Sequence, residues 1–410
     1  MFLLTRRQKL SILFAMTALM LLSASATDIY ISSLPQMVTD FNVTPGIINL
    51  TLAVYNLGIA LGVFFVGEIS NRYGRRRCIL TGAGLFVGSA FLIALIPSIY
   101  AIIGLRFIQA LGAAVIVIVP RLILKDCMNE QEQLHGNGIL LMGFMISPAI
   151  APVLGAYLAK FFGWQSCFML SGTLAFGLLI YCWKTLPETN ATPITRFAPV
   201  KSYLISYGQL LLDRSFWNLT AIYAGAVGCY YAFIGVSSYL YIDHWHFSPT
   251  GYSYLFVGIS LAYLAGNILM QRLNHHRCPP ARILGFGIYS TLSGTILVVL
   301  SVLLPPMIGV VLVTVGVFFM RAANAIISPT TQVRLMNCFS HKSAHALGLN
   351  MFLSFLVISL VTWCVTVFPS KPLLSLALIS AISVSVCVLA FWLVPVANPP
   401  ASEADDLVIE

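Results

Sequence analysis

Asp28, Arg106 and Arg321 are ionisable residues set inside stretches that are otherwise apolar. Of the 13 acidic residues, Asp28 alone falls well within such a stretch. Holding a carboxylate near the middle of a membrane costs at least about 3 kcal/mol, so such a group faces the interior of a bundle and usually serves a function. Away from bulk water it can take up and release a proton at working pH. Two roles fit the residue: loading a proton or contacting substrate, and tying helices together as an ion pair with Arg106. Arginines stay charged, so Arg106 and Arg321 each need an acid, a cluster of carbonyls or an anionic substrate. Two fixed positive charges against one acid argue against a site built only for lipophilic cations. They leave room for zwitterions or carboxylate-bearing compounds. Aromatic residues are plentiful (Tyr55, Tyr223, Tyr230, Tyr231, Phe233) and most belong to packing. Tyr30 and Tyr231 are the two expected beside Asp28 and Arg321 at a substrate site. The seven histidines map to loops and helix ends, and the nine cysteines are scattered singly, with no CxxC pair. Neither a metal site, nor a disulfide framework, nor a Ser/His/Asp cluster emerges, so the chain is not expected to be an enzyme or to hold a cofactor.

The elements that must position these residues follow from composition. Apolar residues make up 59% of the 410 and charged residues 9%, with a mean hydropathy of +0.91. A soluble domain is about one-quarter charged, so an ordinary globular protein is excluded. Apolar runs recur at about 9–33, 47–66, 78–97, 99–120, 137–160, 166–186, 216–240, 252–270, 282–303, 306–329, 346–368 and 372–395. The first carries Arg6, Arg7 and Lys9 ahead of it and a signal-peptidase-like Ala24-Ser25-Ala26. It reads as a retained first helix, because cleavage would discard the start of a polytopic bundle.

Apart from Arg106 and Arg321, only Lys160 and Lys371 of the 22 lysines and arginines fall outside cytoplasmic segments if the N-terminus is inside. Both termini are therefore expected in the cytoplasm. The net charge of +9 is topological, a matter of loops meeting anionic lipid headgroups, and does not mark a nucleic-acid partner. The expected organisation is a six-helix bundle over 1–186, a cytoplasmic linker over 187–215 with Pro187, Pro193 and Pro199, a second six-helix bundle over 216–395, and an acidic cytoplasmic tail over 396–410. Arg106 and Arg321 then lie in spans 4 and 10, equivalent positions of a duplicated bundle whose site sits at the interface.

Several motifs carry a resemblance. Between spans 2 and 3 the chain reads Gly67-Glu-Ile-Ser-Asn-Arg-Tyr-Gly-Arg-Arg-Arg77, similar to the loop signature GxLaDrxGrr of the major facilitator superfamily through Gly67, Arg72, Gly74, Arg75 and Arg76. Asn71 stands where aspartate is usual, an exchange that weakens the charge relay expected to latch this loop. Ala26-Thr-Asp-Ile-Tyr-Ile-Ser-Ser-Leu-Pro35 resembles the first-helix motif of proton-coupled drug exporters, with Asp28 at the acidic position. Arg106-Phe-Ile-Gln-Ala-Leu-Gly112 resembles the fourth-helix motif, whose arginine is tied to proton coupling. Arg121 and Lys125-Asp126 further along that helix are typical of the Bcr/CflA-type branch. Ser147-Pro-Ala-Ile-Ala-Pro-Val-Leu-Gly155 looks like the fifth-helix antiporter motif, with Pro148, Pro152 and Gly155 permitting bending and close approach, although Ala156 replaces a second glycine.

The resemblance implies an all-α membrane protein of twelve transmembrane helices in two pseudo-symmetric halves. It implies a multi-pass protein of a bacterial inner membrane, expected to be a monomer, in which Asp28 and Arg106 couple proton movement to drug export. Its partners would be a small-molecule substrate, protons and membrane lipid. Export of an endogenous anionic metabolite, such as a carboxylate siderophore, is the alternative left open by the excess of interior arginines.

Overall fold

A computed structural model describes residues 5–190, 207–339, 342–366 and 371–393. Pro193, Pro199 and the acidic tail expected after 395 lie outside the described residues. Among the described residues twelve long helices form: α1 (Arg6–Asp28), α2 (Pro45–Tyr73), α3 (Arg75–Leu95), α4 (Ile99–Cys127), α5 (Glu130–Phe162), α6 (Gln165–Thr185), α7 (Arg214–Ser238), α8 (Leu255–His275), α9 (Pro280–Ser301), α10 (Pro306–Cys338), α11 (Ser343–Cys364) and α12 (Pro372–Leu393). Each matches one of the twelve apolar runs, and α2, α4, α5, α8 and α10 extend a turn or more beyond it. Helices are what such runs must form, because lipid offers no partner to backbone N–H and C=O groups. Eleven are long and apolar enough to cross a membrane, and α5 contributes a shorter apolar stretch, Ile146–Phe162. Prolines open α2, α9 and α10, where a missing N–H costs nothing. Thr5 and Asn129 close capping boxes at the starts of α1 and α5.

The first span differs from its expected boundaries in an instructive way. α1 stops at Asp28, a 3₁₀ turn runs over Ile31–Ser33, and a short helix continues over Leu34–Phe41. Pro35 is the physical cause. Its ring would collide with the Ile31 carbonyl of a continuous α-helix, and it has no N–H to donate there. The tighter turn relieves both problems, and the break falls immediately beyond the one interior acid.

Helices α1–α6 pack among themselves, as do α7–α12, and two seams join the sets: α2 with α11, and α5 with α8. Within the first set, Gly58 and Gly62 let α2 close onto Ala110 and Ala114 of α4. The span containing α7 is the most enclosed, with 83% of its apolar window buried against 22% for the span containing α8. A side chain on α7 therefore points into protein almost wherever it lies, whereas α8 spends most of its surface on lipid. Hereafter the near face is the one where α1 begins, and the far face is the one where α2 begins.

Candidate functional site

Arg106 is wholly buried. Its Nη1 donates to the Ala26 carbonyl at 3.0 Å and to Gln109 Oε1 at 2.7 Å, and its Nε donates to the Thr51 carbonyl at 3.3 Å. The guanidinium lies over the Tyr55 ring at 4.1 Å and the Tyr30 ring at 4.9 Å. Ala26 belongs to the last turn of α1, whose carbonyls a terminating helix leaves without intrahelical donors. The break in α1 thus creates the acceptor that a buried arginine needs. Tyr30 is equally buried; its hydroxyl pairs with Thr51 Oγ1 at 2.9 Å and its ring packs on Phe168. Since Thr51 gives its own proton to Ile48, Tyr30 is the donor. Expected at a substrate site, Tyr30 is instead committed to the packing around Arg106.

Asp28 does not pair with Arg106. Among the described residues only Lys9–Glu132 and Arg75–Asp126 form ion pairs. The expected tie between helices 1 and 4 is made by the Ala26 carbonyl in place of the carboxylate. Asp28 Oδ2 accepts a 3.0 Å hydrogen bond from Ser147 of α5. The cation whose charge reaches it is Arg321 of α10, from the other half. Arg321 sits between the rings of Tyr230 and Tyr263, each 4.4 Å from its guanidinium carbon. Its buried Nε has no hydrogen-bond partner among the described residues. Tyr231 lies within electrostatic reach of both charges. Of the residues expected to meet substrate, then, Asp28, Arg321 and Tyr231 come together at the junction of the halves.

At the near face the loop between α2 and α3 is latched despite Asn71. Arg75 donates to Asn71 Oδ1 at 2.6 Å, to Ser70 Oγ at 3.0 Å and to Asp126 Oδ2 at 2.9 Å. The Glu188 carboxylate accepts the backbone N–H groups of Arg75 and Arg76 at 2.8 and 3.2 Å, which places an anion on the N-terminus of α3. Gly74, at φ +95°, leaves room for that carboxylate; a Cβ there would collide with it. Asn190 Nδ2 bonds the Asn71 carbonyl at 2.7 Å. The latch therefore keeps its charge through Asp126, and the first residues of the expected linker, 188–190, are part of it. Arg72 and Gly67 complete the motif in sequence, and no atom stands close to the position of a Gly67 Cβ.

At the far face the two halves are joined through a residue that carries no charge. Asn49 of α2 is fully buried. Its Nδ2 donates to the Gly235 carbonyl of α7 at 2.5 Å and to the Thr362 carbonyl of α11 at 3.1 Å, and its Oδ1 accepts from Tyr239 at 3.2 Å. A single amide thus bridges three segments of the two halves. An asparagine near a helix start reads as a cap in sequence; its place within the apolar run at 47–66 was the available signal. In α5, Pro148 and Pro152 interrupt the hydrogen-bond ladder, and Gly155 lies against the Ile29 carbonyl at the α1 break, with no room for a Cβ.

The sequence profile of the Major Facilitator Superfamily matches residues 14–362. The chain belongs to this superfamily. An uncharacterized transporter of Rickettsia bellii is 28% identical over 291 residues, 69% of this chain and 70% of that protein. The chloramphenicol resistance protein of Pseudomonas aeruginosa is 27% identical over 285 residues, 68% and 66% of the two. Multidrug resistance protein D of Escherichia coli strain K12 is 27% identical over 204 residues, 50% and 52%. Among solved structures, a bacterial homologue of the human lysosomal transporter Spinster, inward-facing and unoccupied, superposes with a TM-score of 0.73 at 13% identity, covering 94% of this chain and 96% of that one. A D-xylose–proton symporter gives 0.66 at 14% identity, covering 95% and 98%. These likenesses fix the fold as that of the superfamily. The protein is a multi-pass membrane transporter and not an enzyme.

Proposed function

We propose that this transporter exports small amphipathic compounds across a bacterial inner membrane in exchange for protons, as a drug:H⁺ antiporter of the Bcr/CflA type. The observation that carries this reading is Asp28: the one interior acid, at the break of α1, hydrogen-bonded to the antiporter-motif helix and facing Arg321 of the other half. Drug-resistance relatives support the cargo class. The distribution of lysine and arginine makes the near face cytoplasmic. The halves 1–186 and 216–395 rock about the junction so that it opens to one face at a time. Asp28 takes a proton from the outside and releases it inside while substrate travels outward. Arg106, held in the last turn of α1, couples the position of that helix to α4. Coupling requires only that the proton and the substrate prefer different states of the bundle.

The test uses purified protein in liposomes with a pH-sensitive dye inside. Chloramphenicol and tetraphenylphosphonium are added under an imposed proton gradient. Substrate-dependent proton movement in the wild type, lost in Asp28→Asn, is the expected result; coupled transport unchanged in that variant refutes the assignment.

The unpartnered Nε of Arg321 favours a second cargo, an endogenous anionic metabolite such as a carboxylate siderophore. Transport of citrate-based siderophores unaffected by Arg321→Ala would eliminate it.

A further inference from the structure

Helix α5 grips the break in α1 at two points. At the first, Ser147, only 1% exposed, gives its hydroxyl proton to Asp28 Oδ2 at 3.0 Å. At the second, Gly155 is pressed against the Ile29 carbonyl. Pro148 and Pro152 lie between these contacts. Neither donates a backbone hydrogen bond, so the segment bends at lower cost than a regular helix. Two residues beyond Gly155, the Tyr157 hydroxyl meets that of Tyr254, across the seam, at 2.9 Å. The residues joining Asp28 to the other half along this route are thus a hydrogen-bond donor, a weakened stretch of helix and an inter-half contact, in that order.

We infer that Ser147 is a positioning residue that makes α5 respond to the charge on Asp28. A hydroxyl donating to a carboxylate makes a charge-assisted bond about twice as strong as one between neutral groups. When the proton arrives, that grip slackens while the Gly155 contact stays, and the proline segment between them is free to take a different bend. Other groups face Asp28: Arg321 from α10, Tyr55 from α2, Tyr230 and Tyr231 from α7, and Tyr252 from the short helix Pro249–Ser253. Arg106 is engaged by the Ala26 carbonyl, and Thr27, beside Asp28 on α1 itself, reaches both the carboxylate, with a smaller effect than Ser147, and the Ala24 carbonyl at 3.4 Å. Ser147 is the donor that reaches the carboxylate from a second helix of the same half.

This inference rests on the reading of Asp28 as the proton carrier, and the experiment separates the two. Dicyclohexylcarbodiimide attaches to protonated carboxyls in apolar surroundings. Its incorporation into the Asp28 peptide is followed by mass spectrometry across a pH series in nanodiscs, for the wild type, Ser147→Ala, Ser147→Cys and Ser147→Thr, with Asp28→Asn identifying the label. Hydrogen exchange of residues 146–157 is recorded on the same samples.

Loss of the donor favours the protonated acid. Labelling of Ser147→Ala therefore persists to higher pH, with a midpoint about one pH unit above wild type, a tenfold change in proton affinity. The weaker thiol donor of Ser147→Cys gives a smaller shift, and Ser147→Thr keeps the wild-type midpoint. Protection of 146–157, after correction for the intrinsic exchange rate at each pH, follows the labelling midpoint in the wild type and becomes independent of pH in Ser147→Ala. Equal midpoints in the wild type and both Ser147→Ala and Ser147→Cys, or pH-dependent protection preserved in Ser147→Ala, overturn the inference while leaving Asp28 as proton carrier. Labelling of the wild type that does not vary with pH removes the proton-carrier reading itself.

Discussion

Replacing Asn49 with alanine should shift the bundle towards opening at its far face. The substitution removes three hydrogen bonds between the halves, to Gly235, Thr362 and Tyr239. Each is worth about 0.5–1.5 kcal/mol net, and a buried partner left unsatisfied adds to the loss. Gly235 and Thr362 contribute carbonyls of continuous helices, whereas the Tyr239 hydroxyl is left without its acceptor, so about 2–3 kcal/mol in total is a reasonable figure. At 1.4 kcal/mol per decade this is roughly a 30- to 140-fold change in the ratio of closed to open far faces. The assay is a spin-label distance measurement in nanodiscs between Thr39→Cys and Lys371→Cys, both exposed at the far face. Cys278, Cys338 and Cys364, the native cysteines that are not buried, are changed to serine. The expected outcome is a second, longer distance gaining population in Asn49→Ala. An unchanged distribution, in a variant that still inserts and melts cooperatively, refutes the reasoning, because it would mean that the amide fills space without holding the face shut.

Three further outcomes follow from the geometry. Gly155→Ala places a methyl group where the Ile29 carbonyl lies, so α1 and α5 must separate; a stability loss of about 3 kcal/mol is expected in thermal melts, with export abolished. Asp126→Asn strips the nearly buried Arg75 of its only ion-pair partner among the described residues and should cost about 2 kcal/mol, reduced from a fully buried pair because Asp126 is 19% exposed. Asn71→Asp, measured beside it, should change stability by less than about 1 kcal/mol, because Arg75 already has a carboxylate. At the near face, Lys9 holds the Glu132 carboxyl below its ordinary range by donating at 2.7 and 2.9 Å, and the Asn129 N–H adds to this. A lowered folded value means that the contribution is complete above the ordinary carboxylate range and disappears as pH falls through the lowered one. The melting temperature of Lys9→Met should therefore lie below wild type at neutral pH and coincide with it in acid.

What the sequence disclosed and what it withheld divide along a physical line. The twelve spans were legible because each is a long and predominantly apolar run, and lipid leaves such a run one regular structure. Asp28, Arg106 and Arg321 were legible as exceptions, since a charge at that depth stands out in any window. Their pairing was not. Opposite charges on neighbouring spans suggested Asp28 with Arg106, but the break caused by Pro35 exposed a carbonyl at Ala26 that the arginine takes instead, and Asp28 was left to Ser147 and Arg321. The near-face latch shows the same limit. Asn71 in place of aspartate looked like a loss, because its compensation comes from Asp126 and from Glu188, more than 110 residues away in sequence from Arg75.

Asn49 was hidden for a different reason: it carries no charge to mark it, yet once buried it must satisfy both its donors and its acceptor. At the far face those needs are met only by the opposite half. An amide placed this way holds the halves together in one state and must find new partners in the other, which makes a buried Asn whose partners lie in the opposite half, as Asn49 does, as informative about conformational change as the charges are about chemistry.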